Sequence, residues 1–351
     1  MNKKILAVVC VAILLVAGVA AVFILRDDDS SGIAITNTDG TTTVIPHVAE
    51  KIVVMNVNTA EAVIVLGMGA KVVGVSSTTY SRSAYMNNFP NCSTSVGSST
   101  EPSLDVIADC DPDVVIGFST LKIKNQAQLE ELGYPVLYLD CYNTANGQLQ
   151  KDMTNLGKAL GAETAATTYI TYLNDKIDSI MDIANSVSST VRSNMRVYAE
   201  FSSTTYTNGY PAQCKSTSTD VVLSALGVVN VSGEQAYGSY VSAEFIAASN
   251  ADYVIKIYDL SKSNAGSVLA EVADRACISS LEAKEDNQIY ELWNEISYGP
   301  RIFASYLAFC QIFFPTETTA SGLTIQGLLE NYNATFGASF VTTYGIVQAT
   351  P

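Results

Sequence analysis

The sequence predicts an α/β chain: two similar lobes of βα units joined by one long helix and preceded by an N-terminal membrane helix. Three observations carry this. Short apolar strands alternate with helical stretches on both sides of residues 148–187. That middle stretch is helix-prone and, after Gly161, free of Gly and Pro. Residues 5–25 form an unbroken run of apolar or small side chains. The expected boundaries are 1–29 for an anchor or signal peptide with a short stalk, 30–147 for the first lobe, 148–187 for the helical connector and 188–351 for the second lobe.

The first 25 residues contain Lys3 and Lys4 and no acid. As a helix, residues 5–25 extend about 30 Å, enough to cross a bilayer. The two lysines then stay inside, and Arg26-Asp27-Asp28-Asp29 lies outside. A cleaved signal peptide has a shorter apolar core and a small-residue cleavage site. Here the run ends in Phe23-Ile24-Leu25, which favours an uncleaved anchor. Either reading exports the body, to the extracellular face of the membrane.

The chain has 351 residues, 48% of them hydrophobic, and a net charge of −15. Such a chain can bury sizeable cores. Its acidic body lacks the basic footprint that nucleic acid requires. Six cysteines lie beyond the apolar run: Cys92, Cys110, Cys141, Cys214, Cys277 and Cys310. None forms a C-x-x-C pair, which disfavours structural zinc. In an exported protein they are either disulfide partners or small buried hydrophobes. Sequons at Asn91, Asn230 and Asn333 fit a surface-exposed body.

Along the chain, "IAITNTDGTTTVIP" alternates around Asp39-Gly40 and predicts a β-hairpin. "KIVVMNVNTAEAVIVLG" reads as strand, loop and helix, with Asn58 and Glu61 as a capping box and Gly67 closing the helix. "KVVGV", "DVVIGF" and "PVLYLD" follow as short buried strands. In the connector, Ile170, Leu173, Ile177, Ile180, Met181 and Ile183 recur at helical spacing. Alternation resumes with "MRVYAEF", "GVVNVSG", "DYVIKIYDL" and "NQIYELW".

An internal repeat pairs the lobes. "SLDVIADCDPDVVI" (103–116) aligns without a gap on "SAEFIAASNADYVI" (242–255). Ser103 matches Ser242, Asp105 matches Glu244, and Asp113 matches Asp252. Each copy reads as N-cap serine, helix, Asp turn and buried strand.

These segments, in this order and spacing over roughly residues 33–320, resemble the substrate-binding proteins of ABC importers for ferric siderophores, haem and cobalamin. The resemblance rests on the hairpin, "KIVVMNVNTAEAVIVLGMGAKVVGVS", "PSLDVIADCDPDVVIGF", "LEELGYPVLYLD", the joining helix, "VSAEFIAASNADYVI" and "SYGPRIFASYLAFCQIFFP". It implies two Rossmann-like lobes on a rigid helical backbone. It implies a metal chelate in the cleft as the only ligand, with no intrinsic cofactor, and docking of a monomer on a permease with its ATPase. It also implies an acid on each lobe that pairs with permease arginines. The matching positions here are Asp105 and Glu244, which as first-turn acids also suit their helix dipoles.

The strand-end rule places the ligand independently, beyond the carboxyl ends of the strands. The segments there are rich in Tyr and hydroxyls: 56–59, 76–85, 118–122, 200–213, 234–240 and 293–301. Tyrosine offers an apolar face and a polar tip, suited to a bulky, partly aromatic ligand. The expected ligand-binding residues are Tyr80, Arg82, Tyr85, Tyr206, Tyr210, Trp293, Tyr298 and Arg301. Arg301, the last base of the chain, follows Gly299-Pro300 at a helix start, where a guanidinium can hold an anionic ligand group. Its competing role is an ion pair with a nearby acid such as Glu295.

His47 is the only histidine, so a metal site of several imidazoles is impossible in this chain. Two other classes compete. One is a surface-anchored binding or adhesion protein for another polar ligand. The other is a serine hydrolase-type enzyme, suggested only by "STLK" (119–122), which fits S-x-x-K without its companion motifs. No enzymatic activity is expected.

Overall fold

The computed structural model describes residues 32–201, 208–258, 267–344 and 346–349. The apolar run 5–25 lies outside the described residues. Among the described residues, no helix is long and apolar enough to cross a membrane.

The chain opens with the expected hairpin, β1 (Ile33–Thr36) and β2 (Thr42–Ile45), paired antiparallel. Gly40 turns it at φ 83°. Asn37 then docks the hairpin on the first lobe, its side-chain oxygen accepting the Tyr138 amide at 2.8 Å. The lobe's sheet comprises β3 (Ile52–Val54), β4 (Val72–Val75), β5 (Val114–Gly117) and β6 (Val136–Tyr138), all parallel. Its spatial order is β4-β3-β5-β6.

Helix α1 (Val57–Val65) follows β3. Its N-cap is Asn56, whose side chain accepts the Thr59 amide at 2.8 Å. This corrects the expected capping box at Asn58 and Glu61. Glu61 lies inside the helix, only 4% exposed, and its carboxylate points to a distant partner. After β4 come two short turns of helix, α2 (Ser77–Tyr80) and α3 (Ser83–Met86). Helix α4 (Leu104–Cys110) precedes β5.

The connector is a pair, α5 (Gln148–Leu160) and α6 (Glu163–Ser186). Gly161 breaks it at φ 66°. The 24-residue α6 is about 36 Å long at 1.5 Å per residue. It is capped to stop at Val187, whose backbone is extended.

The second lobe carries β7 (Arg196–Phe201), β9 (Val229–Asn230), β11 (Tyr253–Tyr258) and β12 (Ile289–Trp293), again parallel. A side pair, β8 (Tyr210–Pro211) and β10 (Tyr240–Val241), flanks it. Helices α7 (Ser218–Leu226) and α8 (Ala243–Ala247) lie before β9 and β11. The order β9-β7-β11-β12 repeats that of the first sheet: second strand, first, third, fourth. The last strand, β13 (Val347–Gln348), adds antiparallel to β12.

The repeat is visible in hydrogen bonds. Ser103 and Ser242 both cap their helices, accepting the amides of Val106 and Phe245. Asp113 accepts the amides of Glu50 and Lys51, beside the start of β3. Asp252 accepts that of Arg196, at the start of β7. Asp111 and Asn250, equivalent in the alignment, both adopt positive φ, which Asp and Asn tolerate best after Gly.

After β12 the chain enters α9 (Phe303–Phe313) and later α10 (Ile325–Phe336). One apolar cluster spans both lobes: Ile52 and Ile116 of the first, Leu173 and Ile180 of α6, Ile255 and Leu292 of the second, and Phe303 and Leu307 of α9. The lobes are therefore welded at their base. The six cysteines of the described chain are free, and five are buried.

Candidate functional site between the lobes

The carboxyl ends of both sheets meet at a mouth between the lobes. Tyr142, just past β6, is its central side chain. Its ring lies 4.6 Å from that of Tyr298, past β12, and 5.9 Å from that of Phe118, past β5. Its hydroxyl hydrogen-bonds Tyr237 of the second lobe, and burial, then Tyr237 and Tyr298, push its pKa up. The backbone closes the same junction. The Gly299 amide donates to the Tyr142 carbonyl at 3.1 Å, and Asn143 donates to the Ser216 carbonyl at 3.1 Å. Gly299 is required here: φ is 75°, and a Cβ would press on the Asn58 side chain at 3.1 Å.

Charge at the mouth is paired. Arg82 lies 3.9 Å from Glu295, linking the loop after β4 to the turn after β12. Lys122 meets Asp39 at 2.7 Å, and that partner holds the Asp39 pKa down to about 2. Asp140 is buried past β6, accepting the Ser119 amide and hydroxyl at 2.6 Å each. Burial raises its pKa. The S-x-x-K pair is thus divided: Ser119 serves Asp140, and Lys122 serves Asp39. Among the described residues, no group of three or more His, Cys, Asp or Glu is gathered as for a metal.

The expected site residues separate into groups. Tyr80, 43% exposed, and Arg82 stand at the first lobe's rim. Tyr298 stands on the facing turn and half-buried Trp293 ends β12, edge-on to Tyr344 at 4.6 Å. Tyr210 is half-buried under the Arg275 guanidinium, 4.8 Å from its ring centre. Tyr206 lies outside the described residues.

Arg301 and Tyr85 are placed elsewhere than expected. Arg301 is 2% exposed. Its Nε and Nη2 donate to the two Glu61 oxygens at 2.8 and 3.0 Å, and its Nη1 donates to the Tyr344 hydroxyl at 2.8 Å. Its flat face covers the Phe340 ring at 4.5 Å. Burial opposes its charge, but Glu61, Tyr344 and Tyr85 together outweigh this and raise its pKa. Tyr332 donates to Glu61 at 3.0 Å, and Tyr85, 6% exposed, approaches it at 3.4 Å. This is a closed polar cluster. Its guanidinium is committed to Glu61 rather than presented to a ligand, and the partner is not Glu295.

Sequence reasoning missed Tyr142, although it sits two residues past Asp140 at a strand end. It also missed a charged row on the second sheet. Glu200, Lys256 and Glu291 stand in register on β7, β11 and β12, all at most 1% exposed. Glu200 accepts from Lys256 at 2.6 Å, Arg275 at 2.8 and 2.9 Å, and Tyr198 at 2.9 Å.

A surface hollow of about 580 Å³ lies at the amino ends of β11 and β12, beside Tyr253, Tyr290 and Phe313. That is the opposite end of the sheet from where open α/β folds bind ligands.

Residues 52–295 match the family model described as "Periplasmic binding protein". No curated protein sequence matches the chain. Several solved structures share the fold. The TroA-like periplasmic binding protein FepB from Veillonella parvula aligns over 91% of this chain and 100% of its own, with TM-score 0.68 and 17% identity. A periplasmic haem-binding protein from Pseudomonas aeruginosa aligns over 76% and 94%, with TM-score 0.64 and 21% identity. The periplasmic catecholate-siderophore binding protein VctP from Vibrio cholerae aligns over 79% and 100%, with TM-score 0.62 and 18% identity.

Proposed function

The chain belongs to the periplasmic binding protein family, and from that premise we propose that it is the substrate-binding component of an ABC importer. It captures a metal chelate between its lobes and delivers it to a membrane permease with its ATPase. Its chelate is a ferric siderophore first, then a corrinoid or haem. One observation carries the reading: aromatic rings of opposite lobes, Tyr142 and Tyr298, meet at 4.6 Å, tilted by 46°, at the strand carboxyl ends. A flat or bulky ligand with an apolar surface packs against this aromatic pair. The neighbours that bind haem and a catecholate siderophore support the class.

In this reading Tyr80, Arg82, Trp293 and Tyr298 contact the ligand, together with Tyr142, and Tyr210 lines the second lobe's side. Asp105 and Glu244 are both exposed in the first turns of α4 and α8. As equivalent positions on the two lobes, they are the proposed permease contacts. The body works outside the membrane, held there by residues 5–25 or released after cleavage.

The test is mass spectrometry and an absorption spectrum of ligand extracted from natively purified protein. A ferric, haem or corrinoid chromophore supports the reading. A colourless extract with a non-chelate small molecule overturns it.

A further inference from the structure

We infer that the cleft selects chelates of zero or positive net charge with an apolar or aromatic periphery, and rejects polyanionic ones. This rests on the chelate reading above and specifies its ligand class.

Positive charge at the mouth is met by acids. Two arginines are expected to hold an anion there, and both have carboxylate partners. Arg301 is sealed against Glu61, and Arg82 lies beside Glu295. Lys122 is drawn to Asp39. The second sheet's buried bases, Lys256 and Arg275, meet Glu200, and Arg275 also meets Glu271. At the rim, Lys215 and Glu234 are both exposed on neighbouring segments, the Lys215 amide donating to the Gln235 carbonyl. Asp140 remains, buried past β6 without a basic partner, held only by Ser119. Among the described residues the mouth therefore offers no excess positive charge, and its own groups lean negative. The whole chain, at −15, adds a field of the same sign.

A polyanion entering this mouth must shed water against like charge, with no spare cation among the described residues to receive it. A neutral complex meets no such penalty, and the rim suits it. Tyr80, Leu121, Tyr237 and Tyr240 are each at least 43% exposed on segments that follow strand ends. They give apolar surface with phenolic tips. For ferric chelates the chemistry is decisive. Three hydroxamates neutralise the ferric ion, whereas three catecholates leave three negative charges in excess.

Equilibrium dialysis at fixed ionic strength tests this, using a neutral ferric trihydroxamate, neutral cyanocobalamin and a ferric tricatecholate as probes. Metal content on the protein side gives each affinity. At least one neutral probe is expected to bind roughly tenfold to a hundredfold more tightly than the tricatecholate, the span of one missing charge-assisted contact. Glu295→Gln, which removes one negative charge beside Arg82, should move that ratio about tenfold toward the tricatecholate. Tighter binding of the tricatecholate by the unaltered protein overturns the charge inference and leaves the chelate reading standing. Retention of none of the three overturns both.

Discussion

Arg301 and Glu61, 240 positions apart in the chain, form a bidentate ion pair in the interior, with bonds of 2.8 and 3.0 Å. Glu61 comes from the first helix of the first lobe, Arg301 from the turn after the last parallel strand of the second. The pair is closed by the Tyr332, Tyr85 and Tyr344 hydroxyls and by the Phe340 ring. Removing one partner leaves the other buried and uncompensated. Arg301→Ala should therefore lower stability by about 3–5 kcal/mol, measured by denaturant unfolding. Combining Arg301→Met with Glu61→Leu should recover most of that loss, because an apolar pair also fills the space. Ligand affinity of the folded Arg301→Ala protein should stay within a few-fold. A large affinity loss with unchanged stability would return Arg301 to the binding site.

A second prediction concerns pH. Asp152 is fully buried on α5, accepting from Thr38, Cys141 and Gln148, and burial raises its pKa to about 6. The folded state thus binds this proton more tightly than the unfolded state. Its contribution is fully present below the unfolded value near 4 and is lost as pH rises through about 6. Between those limits stability should fall with rising pH by about 2–3 kcal/mol from this group. Asp152→Asn keeps an acceptor for Cys141 and should remove that slope. Urea midpoints of both proteins across the window check it, and an unchanged slope refutes the assignment.

Much of the fold was legible because it is local. Asp39-Gly40 turns the hairpin, Ser103 and Ser242 cap their helices, and the apolar spacing from Ile170 to Ile183 gives α6. The equivalence of Asp113 and Asp252 was readable as a repeat and emerged as the same backbone grip. The site was only half legible. Strand ends could be located, so Tyr80, Arg82, Trp293 and Tyr298 were placed at or past them, and the same rule applied to "LDCYNT" adds Tyr142. Partners across the chain could not be located. Glu61 stands three residues after Asn58 and so matches a capping box, yet its real partner is set by how the lobes pack. Nothing local to Arg301 distinguishes a guanidinium aimed at ligand from one locked to an acid far away in sequence.

A third prediction follows from the paired acids. Asp105 and Glu244 are exposed, and Ser242 holds the Glu244 pKa down. Asp105→Lys with Glu244→Lys should abolish uptake and leave ligand affinity nearly unchanged, since both side chains are exposed on the first turns of their helices. Uptake assays in cells and dialysis on the purified variant separate the two effects. Normal uptake by the double variant removes the docking role.

A fourth concerns residues 5–25. The full chain should partition with membranes, while protein beginning near Ser30 should be soluble and bind ligand as well. Fractionation with dialysis checks this. Native protein whose first residue lies beyond Leu25 would show cleavage and end the anchor reading.

The last prediction concerns motion. Hinge-type binding proteins close on ligand when flexible strands or loops absorb large backbone rotations. Here the connection includes the 24-residue α6, packed along α5 and α9. One apolar cluster runs through the base from Ile52 to Leu292, so opening it would expose core. Polar contacts reinforce the same base: Tyr169 donates to the Pro300 carbonyl at 2.9 Å, and Glu61 holds Arg301 beside it. Ligand binding should therefore change side chains at the mouth more than the lobe angle. Small-angle scattering with and without saturating ligand should show no resolvable contraction. If the weld sets this rigidity, Glu61→Gln, which weakens it, should make amides of α1 and α9 exchange faster while those of the β11 centre hold. A clear contraction of the unaltered protein on ligand binding would refute the rigid-base account.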